Sequence, residues 1–161
     1  MPTILEMRGI SKRFGDVLAN NNVNIKVEKG TIHSIVGENG AGKTTLMNIC
    51  YGLYHADSGE IFFNEEKVEI KDPSAAIEYG IGMIHQHFKL IPAMTVAENV
   101  MLGNEPRKNR FFLDLDKLNG QTRQISEQYG LAVDPESNVA DISVGIRQRV
   151  EILKALFRKA N

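Results

Sequence analysis

The chain has 161 residues, 42% hydrophobic and 24% charged, and its 19 Lys+Arg against 20 Asp+Glu leave a formal charge of -1. That length fits one ordinary domain rather than two, the charge balance carries no footprint of a nucleic-acid binder, and no apolar run reaches the roughly 18 residues of a membrane span. A single cysteine, Cys50, excludes an intrachain disulfide and fits a reducing compartment.

The first residues carry charges at Glu6, Arg8, Lys12 and Arg13 and no apolar signal core. Ile4 to Lys12 reads as a strand. Val23, Ile25 and Val27 alternate with Asn22, Asn24 and Lys26, the period of a half-buried strand. Thr31 to Val36 follows the Lys29-Gly30 turn signal and reads as a buried strand. A helix is predicted from about Gly42 to Leu53. Glu60 to Phe63 and Lys67 to Ile70 are weaker strands. Asp72-Pro73 starts a helix that ends near Gly80, with proline at the first helical position. Ile81 to His85 is a further predicted strand.

From about residue 88 the pattern turns helical. Thr95-Val-Ala-Glu98 is a capping box. Leu115, Leu118, Thr122, Ile125 and Tyr129 fall on one helical stripe, interrupted by Gly120. Ile146, Val150, Leu153 and Phe157 stripe a last helix, with Ile152 and Leu156 as a second apolar flank.

The strongest chemical signal is Gly37-Glu38-Asn39-Gly40-Ala41-Gly42-Lys43-Thr44, which fits G-x-x-x-x-G-K-[ST] between a predicted strand and a predicted helix. Glycines let backbone N–H groups approach phosphate oxygens. The helix that follows aims its unpaired N–H groups and positive dipole end at the same anion. Lys43 supplies a mobile point charge for the β- and γ-phosphates. Thr44 offers a hydroxyl to Mg²⁺, which takes few protein ligands. Kinases, GTPases and transport ATPases all use such a loop, so it gives phosphate binding and leaves the reaction open.

Four motifs, in this order, resemble the nucleotide-binding domain of ABC transporters from Ile4 to the last residues. They are the phosphate loop followed by Thr45-Leu46-Met47, Phe14 in Ser-Lys-Arg-Phe-Gly, Gln86 at a strand end, and Ile142-Ser143-Val144-Gly145-Ile146-Arg147-Gln148-Arg149. The resemblance implies an α/β P-loop NTPase: a RecA-like core with an N-terminal antiparallel β-subdomain, plus a helical subdomain. It divides the chain into an ATP-binding core (1–87), a helical subdomain (88–142), and the signature loop with the start of the return to the core (143–161).

The same resemblance assigns roles. ATP and Mg²⁺ are the implied ligands. Lys43 and Gln86 are the implied catalytic residues, and Thr44 and Gln86 the metal ligands. Phe14, Gly37, Asn39, Gly40, Ala41, Gly42, Lys43, Thr44, Thr45, Ser143 and Gly145 are the implied nucleotide contacts. Each has a plainer reading: Phe14 as core, Gln86 as a solvated glutamine, Ser143 as an N-cap only. Val144 and Ile146 depart from the usual glycine and glutamine of the signature loop, which leaves Ser143 and Gly145 to carry it.

Ser-Val-Gly with Gln148-Arg149-Val150-Glu151-Ile152, and His85-Gln86-His87-Phe88, resemble the first of two ATPase halves in nucleoside and simple-sugar importers. The nucleoside group, linked to a lipoprotein, is favoured. The implied partners are transmembrane permease subunits, a second ATP-binding domain set head to tail, and indirectly a solute-binding protein or lipoprotein. No nucleic-acid partner is implied, and the implied place is the cytoplasmic face of the membrane. Two alternatives stand beside this importer ATPase. One is a non-transport ABC ATPase, disfavoured because only 56 residues separate Gln86 from Ser143, with no heptads or basic run. The other is a nucleotide-binding module without turnover. Hydrolysis in the family needs an Asp-Glu pair after the signature loop, and none follows Ser143 here. The chain is therefore expected to be incomplete at its C-terminus and to bind nucleotide without hydrolysing it. His85 and His87 lack further metal ligands around them, His33 and His55 have no assigned role, and Cys50 reads as a buried structural thiol.

Overall fold

The computed structural model describes residues 2–85, 89–109 and 112–158. Two compact units divide at Ile81 and Gly82.

In the first unit, β1 (Thr3–Phe14), β2 (Val17–Glu28), β3 (Ser58–Phe63) and β4 (Glu66–Val68) form an antiparallel sheet in the order β2-β1-β3-β4. The expected alternation on β2 holds, with Asn22, Asn24 and Lys26 exposed and Val23, Ile25 and Val27 half-buried. The β1–β2 register shifts between Met7 and Ile10 and again between Ile10 and Lys12. Side chains substitute for ladder bonds there: Gly9 N–H donates to Asn24 Oδ1 (2.8 Å), and Asn22 N–H to Ser11 Oγ (2.9 Å). Met7 and Ile10 pack on Leu46, Ile49 and Cys50 of α1 (Lys43–Cys50). That helix stops short of Leu53, because Gly52 takes φ 78° and lies against Asp72, where a Cβ would meet backbone at 2.6 Å. α2 (Pro73–Glu78) starts as predicted, with Asp72 Oδ1 accepting from Ala75 N–H at 2.9 Å.

Two predicted strands are corrected. Thr31–Val36 and Ile81–His85 are not strands, and among the described residues no strand pairs with either. Ile32 is 97% and Val36 94% exposed. A β-prone sequence becomes a strand only when a neighbour takes up its backbone groups and covers its side chains.

In the second unit, α3 (Val96–Met101), α4 (Leu115–Gln128) and α5 (Val144–Phe157) enclose a core of Val96, Val100, Met101, Leu118, Val139, Val150 and Leu153. The Thr95–Glu98 capping box forms with both bonds. On α4 the predicted stripe is half right. Leu118 and Thr122 are buried, but Leu115 and Tyr129 are exposed, and Ser126 is buried in their place through its bond to Leu131 O. Gly120 meets open space, so the interruption creates no clash. No described helix is long and apolar enough to cross a membrane.

Candidate functional site

The phosphate loop hangs between two fixed points. Gly42 is the N-cap of α1, with φ 83° and ψ 3°. A Cβ there would lie 2.1 Å from Ala19 O and 2.8 Å from Asn20 Nδ2, so β2 requires glycine for space as well as for φ. Asn20 Nδ2 donates to Gly42 O at 3.2 Å, and Leu46 N–H donates to the same carbonyl at 2.9 Å. The loop is closed on itself by Ala41 N–H to Glu38 O (3.2 Å). Lys43 Nζ folds back to donate to Gly37 O (2.6 Å) and Glu38 O (2.7 Å), which ties its ammonium to the first two residues of the loop.

No side chain caps α1, and its first turn carries no acid. The helix therefore presents free N–H groups and an uncompensated positive end, the chemistry of an anion site. Gly37, Asn39, Gly40, Ala41 and Thr44 are exposed around it, and Thr45 is half-buried.

The β1–β2 hairpin sets a ruler beside this loop. Lys12 pairs with Asn20, and Phe14 with Val17 at the hairpin tip. Phe14 thus lies two residues, about 7 Å, along the strand from the level of Asn20 and Gly42. Phe14 is 43% exposed, and its ring packs edge-to-face on Tyr54, with centroids 5.3 Å apart. That offset suits a ligand with a flat base at one end and phosphates at the other.

The second unit holds the other predicted contacts. Ser143 is the N-cap of α5, and its Oγ accepts from Ile146 N–H at 3.4 Å. Val144 is exposed, and a Cβ on Gly145 would meet nothing within 4 Å, so this turn faces open space. Gln86 lies outside the described residues, as do His87 and Phe88. His85 titrates below the usual histidine range because it is partly desolvated, with Lys89 and Lys154 adding to the effect against Glu151.

The family pattern described as ABC transporter matches residues 20–161. The chain belongs to the ABC transporter family. It is 50% identical over 161 residues to the guanosine import ATP-binding protein NupO of Bacillus subtilis, covering 100% of this chain and 31% of that protein. It is 44% identical over 163 residues to a putative ribose/galactose/methyl galactoside import ATP-binding protein of Rhizobium etli, covering 98% of this chain and 31% of that one. Among solved structures it resembles the ADP conformation of MJ1267, an ATP-binding cassette of an ABC transporter. The TM-score is 0.85 at 29% identity, over 99% of this chain and 66% of the other. The chain thus spans about a third of the length of these curated relatives.

Several structurally important residues of this ABC chain carry no signal in its sequence. Asn20 is 5% exposed, and its Oδ1 has no partner among the described residues while its Nδ2 holds Gly42. In sequence it was one of three consecutive asparagines in a strand, with nothing to single it out. Arg147 donates to Val139 O (3.2 Å) and Ala140 O (3.0 Å), and Arg149 to Ala132 O (3.0 Å). These two signature-helix arginines hold the chain that leads into Ser143.

Proposed function

We propose that the chain is the nucleotide-binding part of an ATP-binding subunit of an ABC importer, in which ATP hydrolysis drives uptake of a nucleoside or simple sugar. The observation that carries this reading is the phosphate loop, with Gly42 locked against β2 and the Lys43 ammonium held on the loop carbonyls of Gly37 and Glu38. The relatives support the solute class. The 50% identical one is named as a guanosine import ATP-binding protein, and the ribose/galactose/methyl galactoside one stands at 44%. A nucleoside is therefore the preferred solute.

In this reading the N–H groups of Gly37, Asn39, Gly40, Gly42 and Thr45 take the phosphates, Ala41 lines the loop with its own N–H closing onto Glu38 O, Lys43 neutralises the phosphate charge, and Phe14 stacks on the base. Thr44 is exposed at the first turn of α1, a position that suits Mg²⁺, a metal that keeps most of its waters. Thr44 and Gln86 would hold it, and its charge would offset that on the phosphate oxygens. Ser143 and Gly145, open to solvent, grip nucleotide held by a second ATP-binding domain in a head-to-tail pair. Residues 88–142 form the helical subdomain between the core (1–87) and the signature segment (143–161), and dock membrane permease subunits at the cytoplasmic face. A solute-binding protein or lipoprotein acts on the far side, and no nucleic acid is involved.

The 161 residues by themselves bind nucleotide without turnover, because no Asp-Glu pair follows Ser143. Phosphate release and nucleotide affinity, each measured with a Lys43→Ala control, test this. Lys43-dependent affinity with no release is expected; steady Lys43-dependent release refutes the second half of the reading. Substitutions within 88–141 should uncouple nucleoside uptake by the complete transporter at unchanged nucleotide affinity. Equal loss of both overturns the docking assignment.

A further inference from the structure

β1 ends at Phe14, beside the Gly15 turn, with its ring half-exposed. A side chain at a hairpin tip that must be ordered when its ligand arrives loses affinity to that ordering. Here the ring is ordered beforehand. Tyr54 packs on it at 5.3 Å and 72°, the edge-to-face arrangement that ring quadrupoles favour. Lys12 Nζ stands 5.5 Å from the Phe14 centroid, within cation–π range, and Asp57 Oδ1 holds that ammonium at 2.7 Å. Asp57 Oδ2 accepts from Arg13 N–H at 2.7 Å, and Asp57 N–H donates to Ser11 O at 2.8 Å. Residues 54–57 thus grip the end of β1 from Ser11 to Phe14.

That segment continues α1. Leu53 N–H and Tyr54 N–H both donate to Asn48 O, at 2.8 and 3.2 Å. The helix whose first turn carries the phosphate loop therefore also delivers Tyr54 to Phe14. We propose that Tyr54 is a positioning residue for the nucleotide base: it holds the Phe14 ring ready to stack, at a separation from the phosphate loop that α1 fixes. This rests on the assignment of Phe14 to the base. Because stacking reads a π-face rather than a hydrogen-bond pattern, the effect applies to adenine and guanine alike.

Isothermal titration of the chain with the magnesium salts of ATP, GTP and tripolyphosphate tests this. Tripolyphosphate uses the phosphate loop and has no base. Tyr54→Ala is expected to weaken ATP and GTP about three- to tenfold while tripolyphosphate stays within about twofold. Tyr54→Phe keeps the ring and is expected to bind like the parent. Unchanged ATP affinity in Tyr54→Ala overturns the inference. So does an equal loss for tripolyphosphate, which marks general loosening. So does a loss in Tyr54→Phe as large as in Tyr54→Ala, which assigns the effect to the hydroxyl. Phe14→Ala separates the two layers. If it leaves ATP affinity intact, the stacking assignment falls and the inference with it. If it weakens ATP while Tyr54→Ala does not, only the inference about Tyr54 falls.

Discussion

Glu151 accepts the Lys89 N–H at 2.7 Å, and Lys154, three residues further along α5, donates to the carbonyl of that same Lys89 at 3.1 Å. Residues i and i+3 share a helix face, so one turn of α5 takes up both backbone groups of one loop residue. Glu151 is only 4% exposed. Burial holds the Lys154 ammonium below its usual range despite the pull of Glu151, with Arg158 and Lys89 adding to the shift. Glu151→Ala leaves the Lys89 amide without its acceptor and should lower stability by about 1–3 kcal/mol. Glu151→Gln keeps an oxygen in place and should lose less. Urea midpoints at unchanged m-value read both; equal losses would mean that the carboxylate oxygen is not what matters.

Gly42 and Gly40 both have positive φ, yet they predict different outcomes. At Gly42 a Cβ would run into Ala19 O at 2.1 Å, whereas at Gly40 it would meet nothing within 4 Å. Gly40→Ala should therefore lose only the left-handed backbone preference, about 1–2 kcal/mol. Gly42→Ala must displace the loop from β2, and should weaken nucleotide binding by more than about a hundredfold, the equivalent of ~2.8 kcal/mol and beyond the loss at Gly40. Nucleotide titration of the two variants side by side decides it. Similar losses would show that contact with β2 does not set the loop.

The features that could be read from sequence are those decided within a few residues. The caps at Asp72, Thr95 and Ser143 form with the partners that their spacing predicts. The phosphate loop opens α1, and the alternation of β2 gives its buried face. The failures are non-local. Thr31–Val36 has strand composition, but strands are made by partners, which no local pattern supplies. Leu115 and Tyr129 keep helical spacing but lie at the two ends of α4, where they stay exposed. Asn20, Asn99 and Glu151 are polar, so hydropathy leaves them outside. They are buried because each takes up backbone groups of a distant or irregular segment: Gly42, Ile91 and Lys89 respectively.

Arg147 bridges two successive carbonyls, Val139 O and Ala140 O, on the short 3-10 turn Val139–Asp141 ahead of the signature loop. A planar guanidinium can serve both at once, and an ammonium cannot in the same geometry. Arg147→Lys should lower stability by about 1 kcal/mol without changing affinity for tripolyphosphate, whose proposed site is the Gly37–Thr44 loop. Urea unfolding and titration of the same sample check both halves. A loss of anion affinity would give Arg147 a role beyond bracing this turn.

Cys50 supplies a pH signature of the first core. It packs with Met7, Ile10, Leu46 and Ile49, and burial pushes its thiol from an ordinary 9.0 up to about 11. In the folded state the thiol keeps its proton over that interval, while in the unfolded chain it ionises. The unfolded state thus binds fewer protons, and stability falls as pH rises from 9.0 towards 11. Across that window the loss is on the order of 2–3 kcal/mol. Cys50→Ala is the control that keeps every ionisable group except the thiol. Urea midpoints of parent and variant, taken below pH 9.0 and near pH 11, should converge as pH rises, because only the parent loses the thiol contribution. Parallel curves would mean that the thiol is not desolvated in the folded chain.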